Sequence, residues 1–239
     1  MKTVLVTLCV KDTEKVDWVK GLSSYLKRSY GSSQWSQFYD LKLTQDLDRL
    51  RNNANGESVA TTLLDQNYKY YAYLEQLALR LGNNSGQLKL EFTWYDAEHS
   101  SRDKSSKYTQ HTLALEKSSV LYNIGALLTQ VAEEKLSDDY KTCVGFLSKA
   151  VGCFEYLSSN FLNSPSVDLQ AQNTKFLADL CHSEAQEVFL IKIINSPDVT
   201  KHASLISKLS LAAANFYERC DNFYKKDEEE SGFAVPYGE

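Results

Sequence analysis

The chain has 239 residues, 43% of them hydrophobic and 24% charged, with a net charge of −5. That composition excludes a wholly disordered chain. It also argues against a polyanion binder, because 31 acids outnumber 26 basic residues that form no long run, so no nucleic-acid partner is expected.

Only three prolines and ten glycines, beside fifteen tyrosines and ten phenylalanines, favour long helices packed through aromatic side chains. In chain order, Val4, Val6, Leu8 and Val10 alternate with Leu5, Thr7 and Cys9, which predicts a short strand. That apolar run is short and lacks a small-residue cleavage site, so it does not read as a secretion signal. Helices are predicted near 12–29, 33–51 and 61–81, with Asn52-Asn53-Ala54-Asn55-Gly56 as a break. After the turn-rich 82–86, Leu88, Leu90, Phe92 and Trp94 alternate with Lys89, Glu91, Thr93 and Tyr95, a second strand expected to pair with the first.

From Ser106 onward the reading is helical, near 107–135, 138–162, 166–195 and 200–225. Ser137-Asp138 is expected to cap the second of these, Pro165-Ser166 to start the third, and Pro197-Asp198 to separate it from the fourth. Short connections make successive helices antiparallel, and residues 225–232 read as a closing solvated loop. Ala150 and Phe154 have the small-then-aromatic spacing of tetratricopeptide helices, without a clean repeat.

No stretch approaches the roughly 20 apolar residues of a membrane span, so a cytoplasmic protein is expected. The odd set Cys9, Cys143, Cys153, Cys181 and Cys220 lies in apolar segments without paired spacing and reads as reduced thiols. Phosphate loops, zinc motifs and the nucleophile elbow are missing, so neither catalytic residues nor a cofactor or metal is expected. Cys181 and His182 are adjacent on a helix and diverge by about 100°, which prevents a dyad. Asp96, Glu98 and His99 follow a strand end, yet nothing supplies a nucleophile beside them.

The most distinctive segment is the helix containing Glu116-Lys117-Ser118-Ser119-Val120-Leu121-Tyr122-Asn123-Ile124. Apolar residues cover much of its circumference, so it is read as central, with Glu116, Lys117 and Asn123 as a structural polar core. This block resembles the signature of the Bro-domain family. The resemblance continues through Lys11–Trp18, Tyr30–Trp35, Arg51–Glu57, Phe92–Glu98, Asn160–Gln170 and Ala185–Phe189, in order along nearly the whole chain. The wording is closest to the family's founding yeast member, a class E factor of vacuolar sorting.

The resemblance implies a mostly α, elongated antiparallel stack with a tetratricopeptide-like solenoid core and a small β-sheet near the N-terminal half. It implies a single Bro-type domain over 1–239, stopping short of the C-terminal helices of its relatives. It further implies a non-enzymatic scaffold that binds the C-terminal helix of an ESCRT-III subunit during multivesicular-body sorting, and so reaches the endosomal membrane indirectly. The matching positions are Val144, Phe189, Leu205 and Leu209, flanked by Lys141 and Lys192. Recruitment of a deubiquitinating enzyme is implied only through regions outside these residues. Two other readings stay open: a PalA-like scaffold of fungal alkaline-pH signalling, and a helical module that binds membranes peripherally.

Overall fold

The computed structural model describes residues 3–53, 58–97 and 106–227. Among them are seven α-helices: α1 (Trp18–Gln34), α2 (Leu41–Asn52), α3 (Ala60–Leu81), α4 (Leu113–Lys135), α5 (Tyr140–Asn160), α6 (Ala171–Ile194) and α7 (Ala203–Asp227). One two-stranded antiparallel sheet joins β1 (Phe92–Tyr95) to β2 (Lys107–Gln110). The fold is therefore mostly α with a small sheet in the N-terminal half, as the sequence predicts. The chain divides into two compact units, one of residues 11–121 and one of residues 3–10 with 122 onward.

In the unit of residues 11–121, α1 begins where Asp17 accepts a hydrogen bond from the Lys20 amide at 2.8 Å, and α2 where Asp40 accepts from the Leu43 amide at 3.0 Å. Trp18, Tyr70, Phe92 and Trp94 form the aromatic centre, all fully buried. Trp18 sits 5.7 Å from Phe92 and 6.5 Å, edge-on, from Tyr70. Gly21 permits α1 to lie against Leu90, whose side chain would be 2.4 Å from any β-carbon there. In the sheet, Phe92 faces Gln110 and Tyr95 faces Lys107.

That pairing corrects the sequence reading twice. Residues 107–110, assigned above to a helix, form β2, and α4 starts only at Leu113. Residues 4–10 are not a strand. The edge of β1 is instead met just beyond them: Thr13 bridges Trp94, the Glu14 amide donates to Thr93 O at 3.2 Å, and the Tyr95 amide donates to Asp12 O at 3.0 Å.

In the other unit, residues 3–8 form neither helix nor strand, with an isolated bridge at Leu8, and side chains fasten them at several points. The Val6 amide donates to Glu184 Oε1 at 2.5 Å, the Leu8 amide to Thr129 Oγ1 at 3.0 Å, and Gln130 Nε2 donates to Leu8 O at 2.8 Å. Leu5 packs into a cluster with Ala132, Cys143, Leu147, Ala185 and Val188, whereas Val4 is 88% exposed, so the expected alternation fails. Gly125 on α4 lets the Phe154 ring approach to 2.7 Å of where a β-carbon would stand.

Helix α5 buries Cys143, Leu147, Ala150, Val151, Phe154 and Leu157, one face at three- and four-residue steps. Its cap is Asp139, one residue beyond the predicted Ser137-Asp138, which accepts from the Lys141 and Thr142 amides and from the Thr142 hydroxyl. Ser166 opens a single 3-10 turn, Val167–Leu169, and α6 follows at Ala171, later than predicted. The predicted loop from residue 225 starts late, since α7 continues to Asp227, and residues 228–232 lie outside the described set. No helix among the described residues is long and apolar enough to cross a membrane.

Candidate functional site

Helices α5, α6 and α7 are successive antiparallel neighbours, and their register decides which predicted surface residues meet. Lys175 Nζ is 3.8 Å from Glu155 Oε1 at one end of the α5–α6 pair, while Cys143 packs with Ala185 and Val188 at the other. Between α6 and α7, Phe176 stacks on Phe223 at 4.9 Å and His182 lies 5.0 Å from Phe216. Continued along both helices, these pairings bring the start of α5, the end of α6 and the start of α7 to one end of the three-helix stack. All six predicted positions fall there.

Their exposures differ. Phe189 is 40% and Leu205 41% exposed, while Leu209 is half-buried and Lys141 and Lys192 are exposed. Val144 is half-buried against the cluster around Leu5 and Cys143, so part of its side chain belongs to the core. That helix end therefore carries two exposed apolar side chains, Phe189 and Leu205, and two exposed lysines, Lys141 and Lys192.

Glu116 belongs to the other unit and is fully buried. Arg51 Nε donates to it at 2.5 Å, the Tyr70 hydroxyl at 2.6 Å and Trp94 Nε1 at 2.7 Å, and Trp18 Nε1 in turn donates to Tyr70 Oη at 3.0 Å. The Arg51 guanidinium stacks over the Trp94 ring at 4.6 Å and also donates to the Thr13 hydroxyl. Burial, and then the adjacent Glu116 carboxylate, push the Tyr70 phenol well above its ordinary pKa, so it stays a donor. Sequence spacing gave no sign of these partners, which lie 65, 46 and 22 residues from Glu116.

Asn123 is also fully buried. Lys117 does not join Glu116: it is half-buried and pairs with Glu75 at 2.8 Å. Burial opposes ionisation of Glu75, but the hydrogen bonds from Lys117 and Tyr71 win and hold its pKa below the usual carboxylate value.

The chemically suggestive residues of the sequence are otherwise engaged. Asp96 is buried and lies 3.7 Å from Lys11 Nζ, while Glu98 and His99 lie outside the described residues. Cys181 is buried and its thiol is pushed well above its usual pKa by desolvation, then by Glu184, which leaves it a poor nucleophile. Cys143 and Cys220 are likewise buried, and Cys9 and Cys153 half-buried. Among the described residues no group of His, Cys, Asp and Glu is arranged to hold a metal ion.

The sequence is 56% identical over its full length to the vacuolar-sorting protein BRO1 of Saccharomyces cerevisiae, and 59% to the corresponding protein of Candida glabrata. It spans 28% and 27% of those two proteins. A solved Bro1 domain, described as the structural basis of endosomal targeting, superposes with a TM-score of 0.90 at 56% identity, covering 98% of this chain and 64% of that one. The BRO1 domain of ALIX in complex with CHMP4C superposes with a TM-score of 0.82 at 26% identity over 94% of this chain and 65% of that one. The profile of the BRO1-like domain matches residues 5–235. With the family profile and the superposed Bro1 backbone both covering nearly the whole sequence, the chain belongs to the BRO1-like domain family.

Proposed function

We propose that these residues form part of a single Bro-type domain, a non-catalytic adaptor that docks the C-terminal helix of an ESCRT-III subunit. The adaptor is cytoplasmic, is recruited to endosomes, and supports the sorting of membrane cargo into multivesicular bodies. The observation that carries this reading is the shared helix end, where Phe189, Leu205, Lys141 and Lys192 are exposed and Leu209 and Val144 half-buried. It is supported by the vacuolar-sorting names of the relatives and by the ALIX domain solved with CHMP4C.

Two apolar anchors spaced four residues apart, Leu205 and Leu209, present one helix face to a partner's apolar stripe. The lysines favour acidic residues flanking that stripe and speed encounter. Titration of a synthetic ESCRT-III C-terminal peptide is the test. Leu205→Asp weakens binding by about 2 kcal/mol, roughly thirtyfold, with the melting curve little changed. Unaltered affinity, or unfolding of the variant, would refute the assignment.

A further inference from the structure

Helices α1, α2 and α3, with the turn after α1, line an open cavity of about 660 Å³ remote in sequence from the partner-helix positions. Its volume lies within the range of ligand sites, roughly 300–1,000 Å³. Leu47 and Leu81 are its buried residues, and the rest of the lining mixes leucines with the rings of Tyr25, Tyr39 and Tyr73 and the exposed Tyr30 and Phe38. Tyr30 and Phe38 stack face to face at 4.2 Å while 46% and 55% exposed, so two rings form a platform facing water instead of filling the core.

The backbone is shaped to build that platform. Gly31 interrupts α1 with φ 76° and ψ 162°, a conformation essentially confined to glycine, and a 3-10 turn over Trp35–Phe38 follows. The break folds the chain back so that the ring preceding it meets the ring that ends the turn.

The polar groups of the lining select the ligand. Tyr73 Oη already donates to Asp46 Oδ2 at 3.5 Å, but the other tyrosine hydroxyls, Gln76 and Arg80 can donate, and the Tyr39 hydroxyl is buried without a hydrogen-bond partner. The one lining carboxylate, Asp40, already accepts from the Leu43 amide. The complement of an aromatic, donor-weighted trough is an apolar chain that carries acceptors and few donors. A polyproline II segment has that chemistry: its carbonyls are unpaired, proline has no N–H, and its rings stack on aromatic platforms. A partner α-helix differs, because its backbone carbonyls are used internally.

We propose that the α1–α3 cavity binds a proline-rich peptide in the polyproline II conformation. The occupant comes from outside these 239 residues, whose three prolines, Pro165, Pro197 and Pro236, are scattered.

Fluorescence anisotropy with labelled decaproline tests this on the whole chain, with an alanine-rich amphipathic helical peptide and a long-chain fatty acid as competitors. Decaproline binds saturably below millimolar concentration, neither competitor displaces it, and Tyr30→Ser with Phe38→Ser weakens it by at least about tenfold. Leu205→Asp, on α7, leaves it unchanged, which separates this site from the partner-helix surface. Absence of saturation, displacement by the helical peptide or the fatty acid, or equal affinity in the double variant would overturn the proposal. If the double variant misfolds, the exposed-rim substitutions Gln76→Ala and Arg80→Ala decide, and unaltered affinity in both overturns it equally.

Discussion

Glu116 on α4 and Glu184 on α6 are both almost inaccessible to solvent, yet their surroundings treat them oppositely. Glu116 meets a guanidinium, a phenol and an indole, each aimed at a carboxylate oxygen. Glu184 receives one main-chain donor, the Val6 amide, while its Oε2 has no partner. Desolvation dominates there, only partly offset by the Val6 hydrogen bond and reinforced by nearby Glu187, and raises the pKa of Glu184 to about 8. The lesson concerns donor number: at Glu184 burial with a single main-chain donor favours the protonated acid, whereas three side-chain donors reach Glu116.

The largest test of this contrast removes the cation from the satisfied site. Arg51→Ala leaves Glu116 buried among weaker donors and is expected to destabilise the protein by about 3–5 kcal/mol in chemical denaturation, with loss of the native tryptophan signal. A loss below about 1 kcal/mol would mean that water enters and the site is not sealed.

At the unsatisfied site the signature is pH dependence. The folded state holds the Glu184 proton more tightly than the unfolded chain, whose pKa is near 4.5. This contribution is fully present below about pH 4.5 and declines as pH rises towards 8. Glu184→Gln fixes the neutral form. It should flatten that decline and leave the variant more stable than the parent at pH 9 by on the order of 1–3 kcal/mol. Parallel stability curves for the two proteins across this range would contradict the assignment.

A smaller effect is expected at Thr129, which accepts from the Leu8 amide at 3.0 Å. Thr129→Val keeps the shape and strands that amide, at about 1 kcal/mol measured by denaturant titration. Smallest of all, Leu205→Asp should change unfolding free energy by no more than about 0.5 kcal/mol, because its side chain is already 41% exposed. A loss comparable to that of Arg51→Ala would place Leu205 in the interior.

Helical periodicity made α3, α5 and α7 legible within about three residues and the C-terminal ends of α4 and α6 equally well, while the starts of α4 and α6 fall six and five residues later than predicted. The strands were harder. Lys107–Gln110 has only four residues and no buried face, so nothing in its spacing separates it from the helix that follows. Residues 4–10 carry the alternation of a strand but find side-chain partners on α4 and α6, and no ladder forms there. Within the polar core, Glu116 and Asn123 stand out as polar groups in an apolar helix. Their long-range companions Arg51, Tyr70 and Trp94 depend on tertiary structure that no local spacing encodes. The exposure of Phe189 was equally hidden, since its neighbour Val188 is fully buried and the two are the same kind of residue to a periodicity argument.

The segment at residues 3–8 is fastened at separate points: Thr3 to Glu187, Val6 to Glu184, and Leu8 to Thr129 and Gln130. A ladder frays from its tip, each rung lost in turn, but discrete fastenings open one at a time in any sequence. Amide exchange at Val6, after allowance for its intrinsic rise with pH, should therefore track the state of Glu184, whose ionised form accepts the Val6 hydrogen bond more strongly, while exchange at Leu8 follows its own clasp on α4 and keeps its own rate.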